Sequence, residues 1–409
     1  MIMDTKNGRR NFIKKSAAGL AGLSFIPNLL DGEQQNPSTA APTPKKVKPI
    51  YRTLGKTGIK LPVVSMGVMN ADNPDLVRAA LESGIVLLDT AHVYQMGRNE
   101  EMVGQVIKGK PRDSFIIATK VVGEQMDRST GLYTENTKPE PFLEKFELSL
   151  KRLGLNYVDI LYLHNVSKRE AVLFEPLMNA LIKLKKEGKT RFIGVSTHRN
   201  EPEVIRAAVE GKVHDVVLTS YNFRQPHIKE MNNAIAEAVK AGLGIVAMKT
   251  QAGGFWDKEK QKPINMKAAL KWALQDENIH TAIPGFTTFD QLALDLSVME
   301  DLKLTAQEEA DLNSGIQEGR AGLYCLQCGQ CLGQCGKGFD IPTLMRGYMY
   351  AYGYKNMALA KETVESVELA GIPCRDCGTC PVRCTMGFDV RDRIMDIARI
   401  KDVPTDFLV

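Results

Sequence analysis

The first 324 residues of this 409-residue chain contain no cysteine; all eight lie between Cys325 and Cys384. A disulfide framework for the larger part of the chain is thereby excluded, and any thiol chemistry belongs to the C-terminal end. No run of 18 apolar residues exists, so no ordinary transmembrane helix is expected. Charge of one sign is scarce as well. The net +5 comes from 53 Lys+Arg against 48 Asp+Glu, with five basic and three acidic residues inside positions 1–40, which leaves no electrostatic footprint for nucleic acid. No G-x-G-x-x-G turn follows an early strand, which weakens a doubly wound dinucleotide fold. What remains, 44% apolar and 25% charged, is ordinary globular composition, and the length suits a barrel plus a smaller domain.

The N-terminus has the form of an address. Gly8-Arg9-Arg10-Asn11-Phe12-Ile13-Lys14-Lys15 precedes a mostly apolar stretch from Ser16 to Leu30. A charged stretch followed by about 15 apolar residues is the form of a secretory signal. The arginine pair, with Phe12 two residues later and Lys14 following, resembles a twin-arginine signal, with Gly8 where Ser or Thr is usual. The resemblance implies the twin-arginine export machinery as partner, and a periplasmic or N-terminally membrane-anchored protein. Cleavage near Ala40 or Ala41 and retention as an anchor both stay open; the alternative is a basic tail on a soluble protein. Residues 31–49, rich in Pro, Gln, Ser, Thr, Ala and Lys, read as a flexible linker.

From Ile50 the pattern changes. Tyr51 to Val64 reads as a short hairpin punctuated by Gly55 and Gly58. Eight short apolar runs follow, at Val63–Met66, Ile85–Leu88, Phe115–Ala118, Val158–Leu163, Phe192–Val195, Val216–Leu218, Gly244–Ala247 and Thr281–Ile283. Helical patterns alternate with them, among them Pro141–Leu153, Glu175–Glu187, His227–Ala241 and Ile264–Gln275. Eight strand–helix units predict an α/β chain with a (β/α)8 TIM barrel over residues 50–318.

Chemistry in such a barrel sits past the C-terminal ends of its strands. Asp89 and Tyr94 follow the second strand, Lys120 the third, His164 the fourth, and Ser196-Thr197 the fifth. A carbonyl accepting hydride needs a proton on its oxygen. Tyrosine, with an ordinary pKa of about 10, holds its proton too tightly unless an ammonium such as Lys120 stabilises the phenolate. Asp89 can hold Lys120, and His164 can orient the substrate oxygen. Each also has a plain structural reading, as rim aromatic, ion pair or buried histidine. Leu88-Asp89-Thr90-Ala91-x-x-Tyr94, Gly97-Arg98-Asn99-Glu100-Glu101, Ala118-Thr119-Lys120, Tyr157-Val158-Asp159 with Leu163-His164, and Gly194-Val195-Ser196 together resemble the aldo/keto reductases, from about Tyr51 to Leu304. That resemblance implies a nicotinamide-dependent oxidoreductase acting on a small carbonyl or alcohol substrate, with Tyr94 as general acid supported by Asp89, Lys120 and His164.

The cofactor positions depart from the family pattern. Thr197 stands where Asn commonly follows the Ser, Leu218 where a Gln is usual before Tyr221-Asn222, and Met248-Lys249 where an aromatic commonly ends strand seven. Met248 reads equally as a ring cover or as barrel packing. After strand eight come Gly285, Thr287 and Thr288, and no basic residue occurs between Ile283 and Lys303. A phosphate there meets only hydroxyls and a helix N-terminus. This argues against NADP; NAD, or no dissociable nicotinamide, stays open. Ser196, Thr197, Met248, Lys249, Gly285, Thr287 and Thr288 are the candidate cofactor contacts.

Cys325-x2-Cys328-x2-Cys331-x3-Cys335 repeats as Cys374-x2-Cys377-x2-Cys380-x3-Cys384. This is the spacing of a bacterial ferredoxin carrying two [4Fe–4S] clusters, in which the fourth cysteine of each run serves the other cluster. Cys325, Cys328, Cys331 and Cys384 are thereby assigned to one cluster, and Cys374, Cys377, Cys380 and Cys335 to the other. Gly336 and Thr385 replace the usual prolines. Zinc and disulfides are the alternatives. Ile341–Tyr352 and Asn356–Leu369 read as helices, which makes residues 319–409 a small, mostly helical ferredoxin-like domain. The clusters leave room for a redox partner protein and for a rival function: an electron-transfer or scaffold protein whose barrel no longer turns over nicotinamide. As a test of the address, changing both Arg9 and Arg10 to Lys should retain the protein in the cytoplasm on cell fractionation; unaltered delivery would refute the export signal.

Overall fold

In the computed structural model a hairpin of β1 (Tyr51–Thr53) and β2 (Lys60–Pro62) closes the floor of a barrel. The structure describes residues 48–409 apart from 128–129, 258, 260, 319–321, 368, 370–372 and 409. The twin-arginine-like stretch 1–30 and residues 31–47 of the linker lie outside the described residues.

The barrel staves are β3 (Met66–Gly67), β4 (Leu87–Asp89), β5 (Ile116–Val121), β8 (Val158–Leu163), β9 (Thr190–Thr197), β10 (Val216–Ser220), β11 (Gly244–Met248) and β12 (Thr281–Ala282). They pair in parallel in that order. A short antiparallel hairpin, β6 (Met126–Asp127) with β7 (Leu132–Tyr133), stands outside them. The ring closes where Val64 bridges Ala282, with Ser65 N–H donating to Ala282 C=O at 2.8 Å and Ala282 N–H to Val63 C=O at 2.9 Å. The first stave therefore begins later than its apolar run: Val63 and Val64 serve the closure, and only Met66 and Gly67 enter the ladder.

Side chains of a strand alternate between its faces, and the eight runs obey this. Leu87, Ala118, Ile160, Tyr162, Val216, Leu218, Val246 and Met248 fill the barrel interior above Leu54, Ile59 and Leu61 of the floor hairpin. Leu88, Ile117, Val121, Leu161, Leu163, Val195, Val217 and Ile245 face the surrounding helices. The same parity turns Asp89 and Lys120 inward. Neither could be tolerated there unless paired, since an isolated buried charge is costly.

The outer helices are α1 (Pro74–Glu82), α2 (Arg98–Ile107), α3 (Glu140–Leu153), α4 (Arg169–Val172), α5 (Glu175–Lys186), α6 (Glu201–Glu210), α7 (Ile228–Lys240), α8 (Met266–Gln275), α9 (Phe289–Leu296) and α10 (Ala306–Gln317). Their sequences carry their own boundaries. In α3 a proline and Glu140 open the first turn, Lys151 and Arg152 close the last, and Gly154 at φ 65° caps the end. Phe142, Phe146, Leu150 and Leu153 recur at helical spacing and are its buried face. α8 starts at Met266 rather than Ile264 because Asn265 accepts from Ala268 N–H at 3.0 Å, while Ile264 N–H is spent on Gly254 C=O.

The C-terminal segment adds α11 (Ile341–Tyr352), α12 (Met357–Glu365) and α13 (Val390–Ala398). α12 ends short of Leu369, with Ser366 turning its hydroxyl back to Thr363 C=O at 2.7 Å. Gly347 lets α11 and α12 approach; a Cβ there would meet Val364 Cγ2 at 2.8 Å. The three helices share an apolar core (Leu344, Tyr348, Val364, Ile394, Ile397) into which Met69 and Phe255 of the barrel loops also pack. Barrel and C-terminal segment belong to one compact unit.

Asp295 of α9 is buried, with one carboxylate oxygen accepting from Gln251 Nε2 at 3.2 Å. Burial pushes its pKa up to about 8. Its folded form therefore holds a proton that the unfolded chain releases near pH 4, so its contribution to stability falls as pH rises from about 4 to about 8. Asp295→Asn should flatten the decline in melting temperature across that window; an unchanged slope would refute the assignment.

Candidate active site

The ends of β4 and β5 bring Asp89 and Lys120 together inside the barrel mouth. Lys120 Nζ is paired with Asp89 Oδ1, donates to Thr90 C=O at 2.6 Å, and reaches the Tyr94 hydroxyl at 3.4 Å. Burial pulls the Lys120 pKa down, but Asp89 and Tyr94 outweigh it, so the ammonium is held above its ordinary value. The second Asp89 oxygen is buried without a partner.

Tyr94 enters from a tight turn after β4. Gln95 (φ 51°) and Met96 (φ 56°) both lie in the left-handed region, where non-glycine residues are strained. The turn is held from behind. Asn99 donates to Val68 C=O at 2.7 Å and accepts from Thr90 Oγ1 at 2.6 Å; Glu100 accepts from Thr119 Oγ1 at 2.7 Å and meets Arg152 at 3.3 Å. Arg152 also donates to His92 C=O at 3.0 Å. The Asn99-Glu100 pair thus ties three strand ends to one turn, which explains two buried polar residues in succession. His92 faces outward, against Ser149 at 3.1 Å.

Lys120 lowers the Tyr94 pKa, as the sequence leads one to expect, but it does not decide the net direction. Burial is the largest influence and raises it; the Lys120 charge opposes but does not reverse that shift. Tyr94 is therefore a protonated phenol at neutral pH. His164 presents its ring edge-on to Tyr94, with centroids 6.0 Å apart, and its Nδ1 is buried without a partner. Burial first, then the charges of Lys120 and Arg346, hold its pKa well below the usual range, so it is neutral. Asp89, Tyr94, Lys120 and His164 are thus gathered at one place.

The cofactor candidates are more dispersed. Ser196 is buried, and its hydroxyl accepts from Asn165 N–H at 3.0 Å. Thr197 spends its hydroxyl on Arg199 C=O at 2.8 Å. Met248 packs with the barrel interior. Lys249 lies in the left-handed region (φ 58°) at the end of β11. Gly285 lies beside Gly67, to whose carbonyl a Cβ would stand at 3.5 Å. At the start of α9, Thr287 N–H donates to Gln291 Oε1 at 2.8 Å and Thr288 caps Gln291 N–H at 3.3 Å. Near these candidates, Ser220 Oγ, Asn222 Nδ2 and Thr250 Oγ1 are buried without partners.

Sequence reading missed the residues that the C-terminal segment brings to the mouth. Tyr324 is buried, its hydroxyl beside Ser220 and Asn222, its ring 5.8 Å from Lys249 Nζ. A Cβ on Gly253 would stand 3.2 Å from the Tyr324 backbone nitrogen, so a glycine is needed for that approach. Arg346 of α11 acts electrostatically on His164, His198 and Lys249, and Tyr350, one turn further, on the same side, interacts with Arg346 and Tyr94. A signal was there: Arg346 is the single charge in the run Ile341–Tyr352.

The cysteines gather in two groups. Cys325, Cys328, Cys331 and Cys384 line one cavity walled by Leu326, Ile341, Pro342, Met345 and Val390. Cys374 is influenced by Cys377, Cys335 and Cys380. Among the described residues no three His, Cys, Asp or Glu are arranged to hold a single metal ion.

The closed parallel barrel and the residues at its mouth define the class. Residues 64–268 match the aldo/keto reductase family, and the chain belongs to that family of oxidoreductases. It is 30% identical over 244 residues to a methylglyoxal reductase of Salmonella typhi, spanning 57% of this chain and 84% of the relative. It is 27% identical over 304 residues to an L-galactose dehydrogenase of Arabidopsis thaliana, spanning 64% and 92%. The fold is shared with an aldo-keto reductase from Bacillus halodurans in its holo form (TM-score 0.53, 23% identity, 65% of this chain and 96% of that one). It is also shared with an aldo-keto reductase from Klebsiella pneumoniae in complex with NADPH (TM-score 0.50, 22% identity, 65% and 95%).

Lys120→Met should strand the Asp89 charge in the barrel. Breaking a buried pair from one side costs about 3–5 kcal/mol, visible as a lower denaturation midpoint. Adding Asp89→Leu should recover most of that loss; equal instability of single and double variants would show that the pair does not set stability here.

Proposed function

We propose that the protein is an exported oxidoreductase that interconverts a small carbonyl and its alcohol, and that its C-terminal segment carries two [4Fe–4S] clusters. The observation that carries the first part is the run Asp89–Lys120–Tyr94, with Lys120 Nζ 3.4 Å from the phenol and a neutral His164 at its edge. A bound nicotinamide supplies the hydride. Tyr94 delivers the proton to the carbonyl oxygen, and Lys120 stabilises the charge left on the phenolate. Asp89 holds Lys120 in place, and His164 fixes the oxygen by a hydrogen bond. The buried Ser220 Oγ, Asn222 Nδ2 and Thr250 Oγ1 are atoms that would hold amide and hydroxyl groups of a nicotinamide cofactor. The Klebsiella relative's complex with NADPH supports a nicotinamide; the absence of Lys and Arg from residues 284–302 favours NAD over NADP. In reduction, one hydride and one proton convert C=O to CH–OH.

For the second part, the cysteines fit. The cavity formed by Cys325, Cys328, Cys331 and Cys384 has an apolar wall. A four-iron cluster spans more space than one ion, so its thiolates stand further apart than those of a zinc site. Export in the folded state, the course implied by the twin-arginine resemblance, allows clusters to be installed before an oxidising compartment is met. The rival electron-transfer or scaffold reading is favoured by one observation: α9 caps its own N-terminus with Thr288 and Gln291, where a cofactor phosphate would otherwise dock.

Anaerobically prepared protein should contain about eight iron and eight acid-labile sulfide per chain; zinc without sulfide would refute the clusters. Tyr94→Phe should lower carbonyl reduction by on the order of 10²–10⁴ while leaving fold and iron content unchanged. A wild type that binds neither nicotinamide and reduces no aldehyde would favour the rival.

A further inference from the structure

The two cysteine runs fold alike, yet their surroundings differ. Past the fourth cysteine of each, Gly338 N–H donates to Cys335 C=O and Gly387 N–H to Cys384 C=O, both at 3.0 Å. The residues before those two cysteines are clasped together. Gln334 Oε1 accepts from Arg383 N–H at 2.6 Å, and Gln334 Nε2 donates to Gln330 C=O at 2.9 Å and to Arg383 C=O at 3.5 Å. The clasp joins the runs one residue before Cys335 and Cys384, so the two groups are neighbours. Donors to sulfur break the symmetry. Gln327 N–H reaches Cys325 Sγ and Met386 N–H reaches Cys384 Sγ, each at 3.4 Å. Thr385 Oγ1 lies 3.6 Å from Cys328 Sγ. A cluster-bound sulfur has no proton, so the hydroxyl is the donor of that contact. All three sulfurs belong to one group. Among the described residues no N–H or hydroxyl reaches the sulfur of Cys335, Cys374, Cys377 or Cys380. The sequence carries part of the difference: the residue after Cys335 is Gly336, which has no side chain to match Thr385.

A four-iron cluster gains negative charge on reduction, and hydrogen bonds to its sulfurs and access of water stabilise that charge. Access points the same way as the donors: Cys328 is exposed, whereas Cys374 is buried and its three companions are half-buried. Apolar cover does not separate the groups, because Cys325, Cys331 and Cys384 share one core with Cys335, Cys374 and Cys380. Lys337 and Arg375, beside the second group in sequence, are exposed, where water and salt screen their charge. We propose that Thr385, with the N–H groups of Gln327 and Met386, makes the cluster of Cys325, Cys328, Cys331 and Cys384 the easier of the two to reduce. An electron supplied by a one-electron donor then settles there: the second cluster returns to its oxidised state as the first takes the electron. That resting place adjoins the barrel, since Cys325 follows Tyr324, whose backbone nitrogen would stand 3.2 Å from a Cβ on Gly253. The assignment rests on the two-cluster reading.

The test uses the full chain, prepared anaerobically with its iron and sulfide counted, then titrated with dithionite and mediators while EPR follows each step. Wild type should be reduced in two one-electron steps, an isolated signal first and then the broadened signal of two spin-coupled neighbours. Thr385→Val should move the first step to lower potential and leave the second in place. Loss of one charge-assisted bond should change the electron's partition about tenfold, which is about 59 mV for a single electron. Thr385→Ser should keep the wild-type value. Thr385→Pro, which restores the residue usual after a fourth cysteine, should behave as Thr385→Val does, and it serves where valine disturbs cluster assembly. A single unresolved step in wild type overturns the assignment, as does a shift in these variants that is absent or confined to the second step. Protein without iron, or with zinc and no sulfide, overturns the cluster reading itself and the assignment with it, whereas clusters present at coincident potentials overturn the assignment alone.

Discussion

An ion pair inside a closed barrel is the constraint around which the rest is arranged. Lys120 and Asp89 both point inward because strand parity sends them there, and both are buried. Two charges out of water are tolerable only when each satisfies the other and the remaining valences find partners. Lys120 spends its hydrogens on Asp89, on Thr90 C=O and on the Tyr94 hydroxyl. The turn that presents Tyr94 must then be held in a strained conformation. That task falls to Asn99 and Glu100, themselves fully buried and each hydrogen-bonded to a strand end. Stability and chemistry therefore draw on the same few residues.

The pair also sets the electrostatics of the mouth. The Lys120 charge helps to keep His164 neutral, and a neutral imidazole can donate to a carbonyl oxygen without competing for its proton. Burial keeps Tyr94 protonated more strongly than Lys120 favours its phenolate, so the phenol is a reservoir of one proton rather than a resting anion. Around this arrangement the cysteine-rich segment is no appendage. Tyr324 lies between the ends of β10 and β11, α11 stands over the mouth with Arg346 and Tyr350, and Asn356 is linked to Asn70 of the first barrel loop at 3.2 Å. Cys325 and Lys249 influence each other electrostatically, which brings one cysteine group near the end of β11.

Much of this was legible in the chain itself. The eight staves follow from short apolar runs at regular spacing, and Val158–Leu163 and Ile341–Tyr352 have the limits that the sequence predicts. Asp89, Tyr94, Lys120 and His164 stand just at or past strand ends, and in a barrel those ends share one mouth, so position along the chain suffices to bring them together. The cysteine spacing carries three members of each group directly, and the crossing of Cys335 and Cys384 to the opposite group is what the ferredoxin resemblance implies. These features depend on local periodicity and on distances within a few residues, which a linear sequence records directly.

Other features depended on contacts between distant segments. Nothing in the sequence near Lys249 tells that Arg346 lies opposite, or that Tyr324 reaches Ser220 and Asn222, because those neighbours are set by how α11 docks on the barrel. Val63 and Val64 read as strand but serve as the seam with Ala282, a pairing across more than two hundred positions. The direction of the Tyr94 pKa was likewise beyond a reading of charges, since desolvation depends on how completely the folded chain encloses the phenol. Sequence alone determined the barrel, the placing of Asp89, Tyr94, Lys120 and His164 at strand ends and the spacing of the cysteines, through periodicity and motif. Tertiary structure alone decided which charges are shared, which donors stay unpaired and which proton is held, because burial and long-range packing are properties of the closed fold.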